Sequence, residues 1–496
     1  MKTWGTGGAR LQRGAVEWLV GATAIAIVLF LLATFAEDDW MTGIVCTSIL
    51  ALAAWTFLAR EAWWLLLPMA LGFGGTFFFG FKIYTHEIAL LVCLLPLVPL
   101  IAARKATRVP RAPLPLSLYV LLIYMVVHLG VSLYLITLEG REGQGSIFRV
   151  YVRGLWPLVF AVPFYLYGKT RYLKWVLILI YVSSLCRSGL GLIGYYAPAV
   201  AGTAPGFLLP GIYTEGMDLR ESGLWLLYAS LAFACLSPSR IARGFHLAVA
   251  GLAGWFVVVG GSRVSLGISV VIPLIWAAAQ RRFILLGTLA ALAVTTLIAF
   301  NANPDLVHVF PERIQRTLSI VVMRTPYQDV HRIVEGSDDW HYGLMHIAYN
   351  NWTRSVPSFV FGTRLIPYRE PALETSFWFD EMMRAAASLG YYEAGLWTVL
   401  AVFGVFGLAL YVKVFAYLIA PIARALWREG ISDVQHAFYF LAVSSTFIWV
   451  IFAWIAGHFP SEPLLLVVIA RAAFEDRQRE TKPADSEPSA KAADAR

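Results

Sequence analysis

Apolar runs of about 17–25 residues recur along the chain, each long enough to cross roughly 30 Å of hydrocarbon as a helix. They occupy 14–36, 41–58, 62–81, 87–103, 113–136, 150–168, 172–194, 221–237, 243–260, 264–280, 283–300, 395–417, 434–457 and a shorter 460–474, about fourteen spans in all. One long polar stretch interrupts them, Asn301 to Glu393. The pattern predicts an all-α, polytopic transmembrane helical bundle: spans within 1–300 and 395–474, a large helical extracytoplasmic loop over 301–394, and a charged, disordered tail over 475–496.

A loop of that length without secondary structure would be unusual, so a small helical cap is expected. Pro311 to Arg324 places Ile314, Leu318, Val321 and Val322 on one helical face and Arg313, Arg316 and Thr317 on another, as for a helix lying along a membrane surface. Trp340 to Trp352, stopped by Pro357, and Phe377 to Leu389, before Gly390, are two further helical segments.

Composition places the protein in a membrane. It is 59% hydrophobic and 14% charged over 496 residues, far from the roughly 25% charged residues of soluble domains. The aromatic residues cluster at the ends of apolar runs, as at Trp40, Trp63, Tyr84 and Tyr195, where amphipathic rings favour the headgroup level. Cys46, Cys93, Cys186 and Cys235 lie inside apolar runs without metal or redox spacing.

The net charge of +8 comes largely from alternate connections carrying Arg60, Arg104 to Arg111, Lys169 to Lys174, Arg240/Arg243, Arg281/Arg282 and Arg424/Arg428. That is the positive-inside pattern, with both termini cytoplasmic. No basic-aromatic groove accompanies it, which argues against nucleic acid as a partner.

Against this rule, Arg149 and Arg153 open the sixth run, Arg187 is embedded in the seventh, Arg220 begins the eighth, and Arg263 follows Gly260-Gly261-Ser262 at the outer end of the ninth. A guanidinium at or near hydrocarbon is costly and normally faces a partner, a cavity or a functional path. Several on one side suit a lipid-linked pyrophosphate, because planar forked donors match phosphate oxygens. Local neutralisation is the competing explanation, Arg220 by Glu221 and Arg153 by Glu139 or Glu142; Arg187 and Arg263 have no acid beside them in sequence.

If a sugar leaves from such a pyrophosphate, fixed cations stabilise the departing oxygen, and the acceptor hydroxyl needs a base. Asp338, Asp339, His341, His346, Glu374, Asp380 and Glu381 are the candidates. His341 and His346 do not share a helical face and no third ligand has metal spacing, so neither metal nor other cofactor is expected.

Gly261-Ser262-Arg263 between two helices, two further spans, the large outer loop with Pro357 to Gly362, and Leu389-Gly390-Tyr391-Tyr392-Glu393-Ala394-Gly395 leading into an apolar helix resemble the O-antigen ligase and polymerase superfamily over about residues 220–415. The resemblance implies metal-independent, inverting transfer of glycans from undecaprenyl pyrophosphate at the outer face of the bacterial inner membrane. By it, Arg263 is a pyrophosphate contact, with Arg187 and Arg220 as companions; Arg153 joins the pyrophosphate-binding candidates from the charge rule alone. The partners implied are the lipid-linked glycan, membrane lipids and other polysaccharide export proteins.

Ligases of that superfamily carry a His-Asn pair about a dozen residues before the loop-ending glycine, where this chain reads Ser376 to Glu381 without histidine. The departure favours a polymerase over a ligase, with Asp380 or Glu381 in place of the base. A lipid-linked oligosaccharide flippase is the alternative from another class, and polar residues concentrated on one face weigh against it.

Overall fold

The structure, a computed structural model, describes residues 108–138, 146–196, 217–303, 305–318, 328–363, 392–455 and 460–481, with short stretches between 63 and 101. The expected spans 14–36 and 41–58, and the loop helix at 377–389, lie outside the described residues.

The helices in chain order are α1 (Leu116–Leu138), α2 (Ser146–Tyr167), α3 (Leu173–Tyr196), α4 (Met217–Leu236), α5 (Arg240–Val259), α6 (Arg263–Ala279) and α7 (Phe283–Ala302). They are followed by α8 (Asp305–His308), α9 (Glu312–Leu318), α10 (Gln328–Thr353), α11 (Val356–Phe361), α12 (Gly395–Glu429), α13 (Val434–Phe452) and α14 (Ser461–Thr481). Short connections make neighbours antiparallel, and the bundle has two ends. The loop end carries α8 to α11; the far end carries the turns before α1, α3, α5, α7 and α13.

Six of the described helices are long and apolar enough to cross a membrane, and two shorter apolar helices, Gly154–Tyr167 and Arg263–Ala279, accompany them. This fits a multi-pass membrane protein. The shortfall from about fourteen has physical causes beyond the undescribed segments: α4 opens with Asp218, Arg220 and Glu221, and α14 turns charged after Ala470. One expected span needs correction. Thr76–Phe78 (β1) pairs antiparallel with Lys82–Tyr84 (β2) inside and beyond the run 62–81; glycines alternating with aromatics there favour extended pairing over a helix.

The core lies along α14, where Leu464 to Ala470 are all fully buried among α2, α12 and α13. By contrast α7 has no buried residue and presents apolar surface all round, as a helix facing lipid does.

At the far end Arg111 rivets three segments together. Its five hydrogen bonds run from Nε and Nη2 to Asp476 (2.8 and 2.7 Å), from Nη1 to the carbonyls of Tyr165 and Phe164, and from Nη2 to that of Gly168. Thr170 adds a hydroxyl to Asp476 at 2.6 Å. These partners explain why α14 continues to Thr481, past the point where the charged tail is expected to begin; residues 482–496 lie outside the described ones.

α12 is one long element with a break at Gly404, whose φ of 65° and ψ of −172° are not helical. The break interlocks with the end of α11. A Cβ on Gly404 would stand 2.3 Å from the Val360 carbonyl oxygen, and one on Gly362 2.1 Å from that of Val402, so only two glycines let the backbones cross this closely.

Carbonyls left over by the crossing are taken up by α1. The Tyr124 hydroxyl lies 2.8 Å from the Phe403 oxygen and 2.9 Å from the Phe361 oxygen, and His128 Nε2 donates to the latter at 2.8 Å. Tyr124 and His128 sit in the middle of a 23-residue helix. α11, part of the stretch expected to lie outside the membrane, therefore reaches the mid-level of α1.

Candidate functional site

Three of the predicted arginines lie towards the loop end, where α4 packs on α3, α5 and α6. The Ser188 and Ser222 hydroxyls bond at 2.8 Å between α3 and α4. One position earlier on each helix, Arg187 Nη2 lies 3.7 Å from Glu221. Arg220 Nη2 reaches the same carboxylate at 4.0 Å. Arg187 is buried and Glu221 about half exposed, so two guanidinium groups share one partly solvated counter-charge.

Gly260 then brings α5 onto α4, for a Cβ there would come within 2.8 Å of the Arg220 backbone nitrogen. Gly261 turns the chain, the Ser262 side chain caps α6 by accepting from Ser265 N, and Arg263 is the first residue of α6. It therefore stands at a helix N-terminus, where the backbone dipole also favours an anion.

α9 seats the loop helices on this junction. Ile314 and Leu318 are buried, and Thr317 donates its hydroxyl to the Val258 carbonyl at 3.1 Å. The described part of the segment expected to lie along a membrane surface, 311–318, packs on the end of α5 with Arg316 exposed.

α10 spans Gln328 to Thr353, longer than the Trp340–Trp352 pattern predicts. It brings Asp338 into an ion pair with Arg263 Nη2. The acid absent from the flanks of Arg263 thus arrives from 75 residues away.

One turn along α10, the His341 Nδ1 is buried without a hydrogen-bond partner among the described residues and lies 3.7 Å from Glu393 Oε2. The same oxygen accepts from Trp340 Nε1 at 2.9 Å. About a third of the His341 side chain stays open, so the ring is approached from the side away from Nδ1. Burial pushes its pKa below the ordinary 6.5; the carboxylates of Glu393 and Asp338 pull upward, and Arg263 and Arg316 push downward. Near pH 7 the ring is a neutral base.

The sequence-predicted residues separate clearly. Arg263 and His341 share one site, with Arg187 and Arg220 beside it. Arg153 lies on α2, which packs on α1 and α14, and its side chain is outside the described residues. Asp380 and Glu381 are also outside them. Asp339 and His346 are exposed on the other side of α10.

Glu221 and Glu393 escaped functional assignment from sequence. Glu221 is legible only as a neutraliser of the adjacent Arg220. Glu393 stands in a segment that reads as the run-in to an apolar helix, where a lone carboxylate is an available signal. Comparison with protein-family models, curated proteins and solved structures gives no match.

Proposed function

We propose that this chain is a membrane glycosyltransferase of the O-antigen polymerase and ligase type, joining lipid-pyrophosphate-linked oligosaccharide repeats into a longer polysaccharide. The observation that carries the reading is the convergence of Arg263 with a neutral, partly open imidazole, His341, on ion-paired supports at one end of an apolar bundle.

In this reading Arg263, at the N-terminus of α6, holds the pyrophosphate of the donor. Arg187 and Arg220 supply further positive charge one helix away. His341 takes the proton of the acceptor hydroxyl; the oxygen forms a bond to the anomeric carbon from the face opposite the carrier. The carbon–oxygen bond to phosphate breaks, and its electron pair stays on the pyrophosphate beside the guanidinium. Charge develops there only as the bond breaks, so a fixed cation at that point lowers the barrier more than it tightens ground-state binding.

The test is elongation of a lipid-pyrophosphate oligosaccharide by purified protein in liposomes. Arg263→Ala should abolish elongation at unchanged abundance, because the Asp338 it leaves behind is 41% exposed and remains solvated. Arg263→Lys should restore little, since an ammonium lacks the planar fork. Normal elongation by Arg263→Ala would remove the assignment, and unmodified lipid crossing the bilayer without elongation would replace the enzyme by a transporter.

A further inference from the structure

We infer that Glu393 is the positioning residue of His341: its carboxylate, held by Trp340, keeps the imidazole proton on Nδ1 and so leaves Nε2 as the atom that accepts the substrate proton. The inference rests on the transferase reading for its catalytic consequence, but the arrangement itself is tested without turnover.

Three observations carry it. Glu393 is one of two described residues other than glycine with positive φ, at 51°. A residue with a side chain occupies that region at a cost, and keeps it only where its surroundings over-determine it. Those surroundings are visible: Tyr392, just before it, is buried with its hydroxyl on Asn351 Nδ2 at 3.2 Å, and Trp340 donates to the Glu393 carboxylate at 2.9 Å. Both anchors come from α10, the helix that bears His341.

The second observation is the His341 Nδ1, buried, without a hydrogen-bond partner among the described residues, and 3.7 Å from Glu393 Oε2. A contact of that length is loose for a hydrogen bond, as catalytic contacts often are before substrate tightens them. The third is competition: of the two carboxylates near the ring, Asp338 is engaged by Arg263, which leaves Glu393 for the imidazole.

The groups that set the titration of His341 are Glu393 from the start of α12, Arg263 from α6, Arg316 from α9 and Asp338 from α10. Glu393 raises the pKa, so removing its charge should lower it further. A purely structural Glu393, serving only to tie α12 to Trp340, would be replaced well by glutamine, whose amide oxygen still accepts from the indole.

The experiment is the pH dependence of carbethoxylation at His341 by diethyl pyrocarbonate, read by peptide mass spectrometry on the full-length protein. His346, exposed on the opposite side of the same helix, is the internal control. In Glu393→Gln the reaction midpoint at His341 should move to lower pH while that at His346 stays. The elongation kcat should fall on the order of a hundredfold, as loss of a positioned base predicts, with KM little changed.

An unmoved His341 midpoint in Glu393→Gln overturns the inference, whatever the activity. If that variant fails to fold, Glu393→Asp, which keeps the charge but draws the carboxylate back from the ring, should move the midpoint in the same direction by a smaller amount, and no movement there also overturns it. Absence of elongation by the wild-type protein would defeat the transferase reading alone, since the titration decides the pairing independently.

Discussion

Replacing Gly404 by alanine puts a methyl group into the crossing of α11 and α12. The added carbon would stand 2.3 Å from the Val360 oxygen, 2.5 Å from its carbonyl carbon and 2.6 Å from the Gly362 nitrogen, all backbone atoms that no rotamer change can move. The φ of 65° and ψ of −172° lie in a region essentially reserved for glycine, which costs about 1–3 kcal/mol for any other residue. Overpacking adds about 1–3 kcal/mol.

Relief requires separating the two segments, which strands the Phe361 and Phe403 carbonyls now served by Tyr124 and His128, at about 1–3 kcal/mol for each buried group left unpaired. A loss of about 3 kcal/mol or more follows, enough to lower the melting temperature by several degrees in a chain of this size. Gly130→Ala on α1, where a Cβ meets nothing within 4 Å, should instead be neutral or stabilising by about 0.5–1 kcal/mol. Thermal unfolding in detergent, followed by loss of the monodisperse peak in size exclusion, compares the two. If Gly404→Ala melts with Gly130→Ala and the wild type, the backbones do not cross as described.

Two further expectations complete the set. Arg111→Lys should destabilise strongly, by about 3–5 kcal/mol, because an ammonium cannot satisfy Asp476 and three carbonyls at once; melting of the variant beside the wild type measures it. The acid limb of kcat/KM should fall with its midpoint below 6.5, since burial disfavours the charged imidazole and only the neutral ring accepts a proton. A midpoint above 6.5 would assign the base to another group.

Helix positions were largely legible because hydrocarbon length imposes them. The runs expected at 264–280, 283–300 and 434–457 correspond to Arg263–Ala279, Phe283–Ala302 and Val434–Phe452. Contacts between distant segments were not. The break at Gly404 sits in an apolar run whose periodicity is undisturbed, and its cause, Gly362, lies across undescribed chain. Tyr124 and His128 did offer a signal, since polar groups in the middle of a span must find partners, but only the fold shows those partners to be main-chain carbonyls.

Of the site, the arginines were legible as violations of the charge rule. Their acids were not: Asp338 reaches Arg263 from 75 residues away, and Glu221 reaches Arg187 only because Ser188 and Ser222 set the register of α3 on α4.

Ion pairing at these arginines is compatible with the proposed pyrophosphate role, and Arg111 shows the contrast. Arg111 is 1% exposed, its partner Asp476 is 19% exposed, and five hydrogen bonds hold it in one position. Displacing that carboxylate would strand two charges away from water, which is prohibitive.

At the loop end the balance differs. Asp338 and Glu221 are 41% and 54% exposed, so a released carboxylate returns to solvent, while the guanidinium groups of Arg263 and Arg187, 18% and 5% exposed, need another anion in its place. In the proposed function, a diphosphate bearing more charge than either carboxylate takes their place. On the proposed function the pairs hold the guanidinium groups in position at the loop end until the donor's diphosphate replaces the carboxylates, whereas the Arg111 cluster at the far end has its donors already engaged.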